Sequence, residues 1–94
     1  MYVIRETFTA RPGQASSLAK MFKQTMGDLT QFKTRILTDY IATFNTVVME
    51  TEVDDLGAFE KMMAEYTSRQ DVRDKMKGYV DMYQSGKREV YRVV

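Results

Sequence analysis

The spacing of apolar side chains divides the chain into strands and helices. In four segments apolar and polar side chains alternate, and a period of two predicts strands because successive side chains point to opposite faces. These segments are Tyr2–Ala10, residues 34–41, Thr46–Val53 and residues 87–94. In two other segments apolar side chains recur at steps of three and four, which predicts helices over residues 14–29 and 56–83. The predicted order is β-α-β-β-α-β.

Polar residues and glycine mark the ends of the second helix. Asp54 or Asp55 is expected to cap its start, because a carboxylate there accepts hydrogen bonds from free amides. A polar break interrupts the apolar stripe, and Ser68 or Asp71 is expected to cap the helix where it restarts. Ser85-Gly86 predicts the end of this helix.

The two halves of the chain repeat one pattern. The segment VIRET at residues 3–7 matches VVMET at residues 47–51, and the helix stripes that follow also align. Asn45 is expected to take a left-handed conformation in a hairpin turn between the second and third strands. Two such halves predict an α+β, ferredoxin-like sandwich with both helices on one face of an antiparallel sheet. The right-handed crossover rule predicts the strand order 4-1-3-2.

The face of this sheet away from the helices is expected to need a cover. Both possible faces of the first and third strands carry large apolar side chains, whereas a solvated face normally alternates cleanly. On the first strand, the residues of this face are either Tyr2, Ile4 and Phe8 or Val3, Arg5 and Thr7. On the third strand, they are either Val47, Met49 and Val53 or Val48, Glu50 and Glu52. A second copy packed sheet against sheet would provide the cover, so we expect a homodimer.

Composition narrows the functions that the chain can have. Its 94 residues predict a single domain over residues 1–94, and a net charge of +1 argues against nucleic-acid binding. Without a long apolar run or a basic leader, we expect no membrane span, no signal peptide and a cytoplasmic location. The chain has no cysteine and no histidine, which excludes thiolate chemistry, histidine bases and histidine-bound metals. We therefore expect no metal site and no cofactor.

Three segments resemble the dimeric α+β barrel superfamily, which includes antibiotic-biosynthesis-monooxygenase-like and NIPSNAP-type proteins. They read FTARPG at residues 8–13, VMETEVDDLGAFE at residues 48–60 and GKREVYRVV at residues 86–94. The resemblance covers essentially the whole chain. It implies a homodimer with the two sheets face to face and a small-molecule cavity between sheet and helices in each subunit. The chain lacks the histidine of the haem-degrading members and the tryptophan common in the quinone-forming monooxygenases.

Arg5 is the first candidate for a site residue. The repeat aligns it with Met49, and the apolar alternation of the third strand places Met49 on the helix side. Arg5 is therefore expected to be a cation that faces the helices. A charge buried there needs a partner or an anionic ligand, such as a carboxylate, phenolate or enolate. The alternatives are a structural salt bridge with Glu50, Glu52 or Glu89, or an orientation toward the dimer seam.

Three tyrosines on the inner stripe of the second helix could line a pocket for an aromatic ligand. With them, the predicted ligand-binding residues are Arg5, Met49, Tyr66, Tyr79 and Tyr83, and the catalytic candidates are Arg5 and Tyr83. The alternative for each tyrosine is an ordinary core position with its hydroxyl at the rim.

A further expectation concerns acidic residues. Glu6, Glu50 and Glu52 are expected to share one face of the two central strands and to pair with arginines. The alternative is that paired carboxylates share a proton and act as a base.

Two functions follow from the resemblance and from this composition. The first is a homodimeric small-molecule-binding protein that acts as a cofactor-free monooxygenase on an aromatic or polyketide-like compound. The alternative is a non-catalytic dimeric module that carries a ligand or serves as an accessory protein.

Overall fold

One four-stranded antiparallel sheet forms the frame of the molecule. The computed structural model describes residues 1–94, with strands β1 Tyr2–Ala10, β2 Lys33–Thr38, β3 Thr46–Val53 and β4 Tyr83–Arg92. The helices are α1 Ala15–Met26, α2 Leu56–Thr67 and α3 Gln70–Lys75, followed by a 3₁₀ turn at Tyr79–Asp81. The spatial order is β2-β3-β1-β4, which is the predicted order 4-1-3-2 seen from the other edge. The predicted ferredoxin-like fold is confirmed.

The hydrophobic core lies between one face of the sheet and the helices. Leu18 and Phe22 of α1 are buried against Val47 and Met49 of β3. A smaller cluster at the other end of the sheet packs Ile4, Val53 and Phe59 together. The apolar stripe of α1 therefore faces the sheet as its spacing predicts. None of the helices combines the length and the apolar composition needed to cross a bilayer.

The pairing of the two central strands decides which side chains face the helices. Arg5 lies opposite Glu50, and Glu6 lies opposite Met49. Side chains directly opposite each other share a face, so Glu6 is on the helix side with Met49, and Arg5 is on the open face. The predicted orientation of Arg5 is therefore wrong, and so is the grouping of Glu6 with Glu50 and Glu52. The repeat aligned the strands one residue out of step, which reverses every side chain.

The loop between β2 and β3 begins earlier than predicted. β2 ends at Thr38 instead of residue 41, because the Asp39 carboxylate accepts a hydrogen bond from the Thr46 amide at 2.9 Å. Asn45 has φ = 63°, which confirms its predicted left-handed conformation. The loop exposes three large apolar side chains: Tyr40 at 96%, Ile41 at 91% and Phe44 at 83%.

The helices of the second half begin at two different kinds of cap. Asp55 caps α2 as predicted, because its Oδ1 accepts a hydrogen bond from the Ala58 amide at 3.1 Å. The N-cap of α3 is Arg69, whose side chain makes no capping bond. The prediction of Ser68 or Asp71 as that cap is wrong.

The last helix ends well before the predicted stop. α3 ends at Lys75, and Gly78 takes a left-handed conformation with φ = 85°. β4 then starts at Tyr83, four residues earlier than the predicted residue 87, so Ser85-Gly86 lies inside a strand and the predicted helix stop there is wrong. Gly86 lies opposite Phe8, and a Cβ at Gly86 would sit 2.9 Å from Cδ1 of that ring. Glycine at this position therefore makes room for the phenyl ring.

Candidate functional site

A cavity of about 320 Å³ lies between the sheet and the helices, and we call it the tyrosine cavity. Ten of its fourteen lining residues are hydrophobic. The lining residues are Glu6, Phe8, Phe22, Thr25, Met26, Met49, Met63, Tyr66, Thr67, Val72, Met76, Tyr79, Tyr83 and Arg88. The strands supply its floor, and the stripes of α1 and α2, together with the segment from α3 to β4, supply its walls. An apolar lining with few polar groups is typical of small-molecule sites.

Four of the five predicted ligand-binding residues come together in this cavity. Met49, Tyr66, Tyr79 and Tyr83 all line it, although they come from three different parts of the chain. Arg5 lies on the opposite face of the sheet and does not line it. A ligand-binding role for these residues remains a prediction.

Four aromatic rings form a closed circuit along the wall of the tyrosine cavity. Phe8 contacts Phe22 at a centroid distance of 4.9 Å and Tyr83 at 5.1 Å. Tyr79 closes the circuit, at 6.4 Å from Phe22 and 5.8 Å from Tyr83. Tilted and edge-to-face pairs at these distances are favourable beyond the area they bury.

The hydroxyl of Tyr66 forms hydrogen bonds within the protein. It donates a 2.6 Å hydrogen bond to the Thr25 carbonyl near the end of α1, and it lies 3.2 Å from the Asp28 carboxylate. Lys75 completes this cluster with a 2.8 Å contact to Asp28. Burial, reinforced by Asp28, raises the pKa of the Tyr66 phenol. Tyr66 therefore contributes a ring wall to the cavity and joins α2 to α1.

Tyr79 keeps its phenol proton at neutral pH. Burial raises the pKa of its phenol above the ordinary value, and the neighbouring Tyr83 and the charge of Glu6 act in the same direction. A phenol with a raised pKa keeps its proton until more alkaline pH. Tyr79 can therefore donate a hydrogen bond to a ligand oxygen, but it does not serve as a base.

Two charged residues line the tyrosine cavity, Glu6 and Arg88. They lie directly opposite each other on β1 and β4, with a single contact of 3.3 Å between Oε2 and Nη2. The side chain of Glu6 is only 16% exposed, whereas that of Arg88 is 66% exposed. Neither residue is among those that the sequence predicts for the site. The available signal was one acid within the otherwise apolar alternation of β1.

Arg5 belongs to an ion cluster on the open face. Its Nε lies 2.7 Å from Oε2 of Glu50, and Nη2 of Arg35 lies 2.6 Å from the other carboxylate oxygen. The guanidinium of Arg5 also lies over the ring of Tyr91, at 5.3 Å from the centroid. The hydrogen bonds from Arg35 have the largest effect on the Glu50 carboxyl and lower its pKa. The hydrogen bond from Arg5 lowers the pKa further, and burial partly opposes both. The alternative expectation of a salt bridge between Arg5 and Glu50 is confirmed.

Two further cavities lie beside the tyrosine cavity. The larger, about 510 Å³, is a groove beside the end of α1 and the edge strand β2, and none of the predicted ligand-binding residues lines it. The other, about 330 Å³, lies beneath α2 between β1 and β4, and we call it the distal cavity. Its lining includes Ile4, Phe59 and Val90. No three acidic side chains in the molecule come together to form a metal site.

Solved structures with the same fold were found among bacterial proteins. An uncharacterised NIPSNAP domain protein from Burkholderia xenovorans superimposes with a TM-score of 0.83 at 18% identity, covering 100% of this chain and 95% of that chain. The chain has the ferredoxin-like α+β fold of these proteins. Protein Atu4242 from Agrobacterium tumefaciens gives a TM-score of 0.85 at 11% identity, over 100% and 94% of the two chains.

A third solved structure also has this fold. It is a candidate antibiotic biosynthesis monooxygenase from Chloroflexus aurantiacus, with a TM-score of 0.76 at 13% identity, covering 99% of this chain and 92% of that chain. The structural neighbours are thus of the two types that the sequence resembles. Neither protein-family models nor curated proteins match the sequence. Because one fold hosts many activities, the function must be argued from the cavity.

Proposed function

We propose that the protein is a homodimer that binds a small aromatic ligand with a phenolic hydroxyl in the tyrosine cavity. The observation that carries this proposal is the closed circuit of four aromatic rings in the wall of a mainly apolar cavity of about 320 Å³. Ligand sites commonly have volumes of roughly 300–1,000 Å³. A flat aromatic ligand can stack on these rings or meet their edges.

The polar groups of the cavity suit a ligand hydroxyl. The Glu6 carboxylate is an acceptor, and Tyr79 remains a donor because its pKa is raised. Both reach the cavity beside apolar walls, where a hydrogen bond is stronger than in water. A phenol offers one donor and one acceptor in the plane of an apolar ring, so it matches this combination.

Calorimetric titration with 2-naphthol tests the binding proposal. Tyr83→Leu removes one ring of the circuit and is expected to weaken binding about tenfold, or roughly 1.4 kcal/mol. Tyr91→Leu is the matched control, because Tyr91 is also a tyrosine of β4 but stacks with Arg5 on the open face. The control should bind 2-naphthol as the parent protein does.

Two outcomes would overturn the proposal. One is the absence of binding to 2-naphthol and to related bicyclic phenols. The other is an equal loss of affinity in Tyr83→Leu and Tyr91→Leu, because the ligand would then not depend on the aromatic circuit.

The open face of the sheet supports the homodimer. Apolar side chains from several strands remain at this surface, including Leu37 at 39% and Tyr91 at 44% exposure. Between them lies the cluster of Arg5, Glu50 and Arg35, which carries both signs of charge. In a two-fold symmetric dimer, this patch would pack against the same patch of the second copy. A second sheet packed on it would exclude water from the apolar groups.

A second candidate function is the oxidation of the bound phenol by O₂, favoured by the structural likeness to a candidate monooxygenase. The phenol would lose its hydroxyl hydrogen, and the ring carbon para to the hydroxyl would exchange its single hydrogen for oxygen. One oxygen atom of O₂ would form the new carbonyl and the other would leave as water. Glu6 is the acid-base group in the cavity that can accept the proton, and Tyr83, the candidate from the sequence, lies in the ring circuit.

Oxygen uptake with 1,5-dihydroxynaphthalene tests this reaction. Conversion to 5-hydroxy-1,4-naphthoquinone consumes one O₂ and releases one water for each molecule oxidised. Glu6→Gln should lower kcat by about 10²-fold or more if Glu6 is the base. An uptake rate equal to that of the protein-free solution would eliminate this candidate and leave the binding proposal unaffected.

A further inference from the structure

Three neighbouring rows of paired side chains lie on the helix-facing floor of β1 and β4. Ile4 lies opposite Val90, Glu6 lies opposite Arg88, and Phe8 lies opposite Gly86. The rows are therefore apolar, charged and apolar in turn. Two residues of a strand advance about 6.6 Å, so the three rows span about 13 Å along β1.

The charged row stands between two cavities. The tyrosine cavity lies over the Phe8 row, and the distal cavity lies over the Ile4 row. Three side chains line both cavities: Glu6, Met63 and Arg88. Glu6 and Arg88 come from the sheet, and Met63 comes from α2 above them. These side chains form the partition between two spaces of about 320 and 330 Å³.

We infer that the ligand is an elongated molecule with two apolar ends and a hydroxyl near its middle, and that it spans both cavities across this partition. The inference rests on the proposed ligand-binding function. One apolar end would contact Phe8 and the aromatic circuit, and the other would contact Ile4, Phe59 and Val90. The central hydroxyl would donate to Glu6 and accept from Arg88.

The partition is built so that it can open. Arg88 is 66% exposed on an edge strand and contacts Glu6 through one long contact of 3.3 Å. The thioether of Met63 is flexible. Glu6 is mostly buried, so its carboxylate must keep a hydrogen-bond partner when Arg88 moves. A ligand hydroxyl at the partition supplies that partner, whereas a hydroxyl at the far end of either cavity, away from Glu6, would not.

Two isomeric alcohols test the position of the hydroxyl. 1,3-Diphenylpropan-2-ol carries it at the centre, and 2-(4-benzylphenyl)ethanol carries it at one end. Calorimetric titration of the full chain should give at least about tenfold tighter binding of the central isomer, because only this isomer forms a hydrogen bond with the charged Glu6. Glu6→Met and Arg88→Met should each remove most of this preference. Arg92→Met, which removes a charge from the same strand outside both cavities, should keep it.

Each outcome has a defined meaning. Equal affinity for the isomers, a preference for the terminal isomer, or an unchanged preference in Glu6→Met would overturn the inference. If neither alcohol binds while 2-naphthol does, the inference fails and the proposed function stands. If no aromatic ligand binds at all, both fail. Because Arg88 is exposed, Arg88→Met provides the test even if Glu6→Met does not fold.

Discussion

Two glutamates on the central strands have opposite surroundings. Glu50, on the open face, accepts hydrogen bonds of 2.6 to 2.8 Å from Arg5 and Arg35. Glu6, on the helix face, has one contact of 3.3 Å with the exposed Arg88. The first carboxylate has partners on both oxygens and is suited to holding strands together. The second has spare acceptor capacity next to a cavity, and for this reason we place it in the candidate site.

Replacing Glu50 should reveal its contribution to acid stability. Its pKa is lowered in the folded state, so it stabilises the fold above its unfolded pKa near 4.5 and loses that effect as pH falls through the lower folded value. We expect Glu50→Gln to cost roughly 1–3 kcal/mol at pH 7. Urea unfolding between pH 2 and 7 should show a flatter acid limb for the variant than for the parent.

Glu52 provides the matched control on the same strand and face. Its side chain is 40% exposed, with a loose 4.0 Å contact to Lys33. Exposed ion pairs contribute about 0–1 kcal/mol, so Glu52→Gln should change little. Equal losses in the two variants would contradict a special role for the cluster of Arg5, Glu50 and Arg35.

The face of the sheet to which each strand side chain points was the property that the sequence predicted least well. The pattern identified β1 correctly, but the repeat placed Arg5 under the helices when Glu6 is there. Internal similarity does not determine strand register to one residue, and one residue reverses the face. The acid within the apolar alternation of β1 was a better guide than the repeat.

At the level of elements, the two central strands were easier to locate than the edge strands and the helix ends. The bounds of β1 and β3 agree with the prediction, because each is a run of alternating residues between clear turn signals. The helix predicted up to residue 83 ends at Lys75. Tyr79 and Tyr83 are spaced like helix neighbours, yet they lie in a 3₁₀ turn and at the start of β4. In the structure, the left-handed Gly78 lies between the end of α3 and both tyrosines, so the helix does not continue to them.

Gly78 should be sensitive to any side chain that avoids the left-handed region. No heavy atom lies within 4 Å of a Cβ built at this residue, so only its φ of 85° opposes substitution. We expect Gly78→Ala to cost roughly 1–2 kcal/mol, which lowers Tm by about 4–8 °C for each kcal/mol in a domain of this size.

Gly78→Asn separates backbone conformation from other effects. Asparagine enters the left-handed region more readily than alanine, as Asn45 does in this chain. Thermal unfolding should place its Tm between those of the parent and Gly78→Ala. An alanine variant as stable as the parent would show that this turn does not require the left-handed conformation.

At the level of the whole molecule, the helices cover one face of the sheet and leave the other open. The sequence predicted this arrangement and the strand order, because both follow from the element order and from crossover handedness. The position of the cavities could not be predicted. It depends on how closely α2 and the segment from α3 to β4 approach the strands, and that distance is set by side-chain packing across the whole core.

A charge on the open face should disrupt the proposed homodimer. Leu37 is 39% exposed on β2, and Leu37→Asp would place a carboxylate against the second sheet. Sedimentation equilibrium should give twice the mass of one chain for the parent and a shift toward a single chain for the variant. Val80→Asp, at a 56% exposed position in the 3₁₀ turn on the helix side, is the control and should remain dimeric. A parent protein with the mass of one chain would contradict the homodimer.

The exposed loop between β2 and β3 is a site where a protease can cut the chain into two fragments. Chymotrypsin prefers large apolar side chains, and Tyr40 and Phe44 present them in solvent between two paired strands. A cut there breaks the chain but leaves the pairing of β2 with β3 intact from Lys33 to Thr38. The two fragments should stay together in native buffer and separate only in denaturant, so each half of the repeat could be produced and labelled on its own before the fold is reassembled.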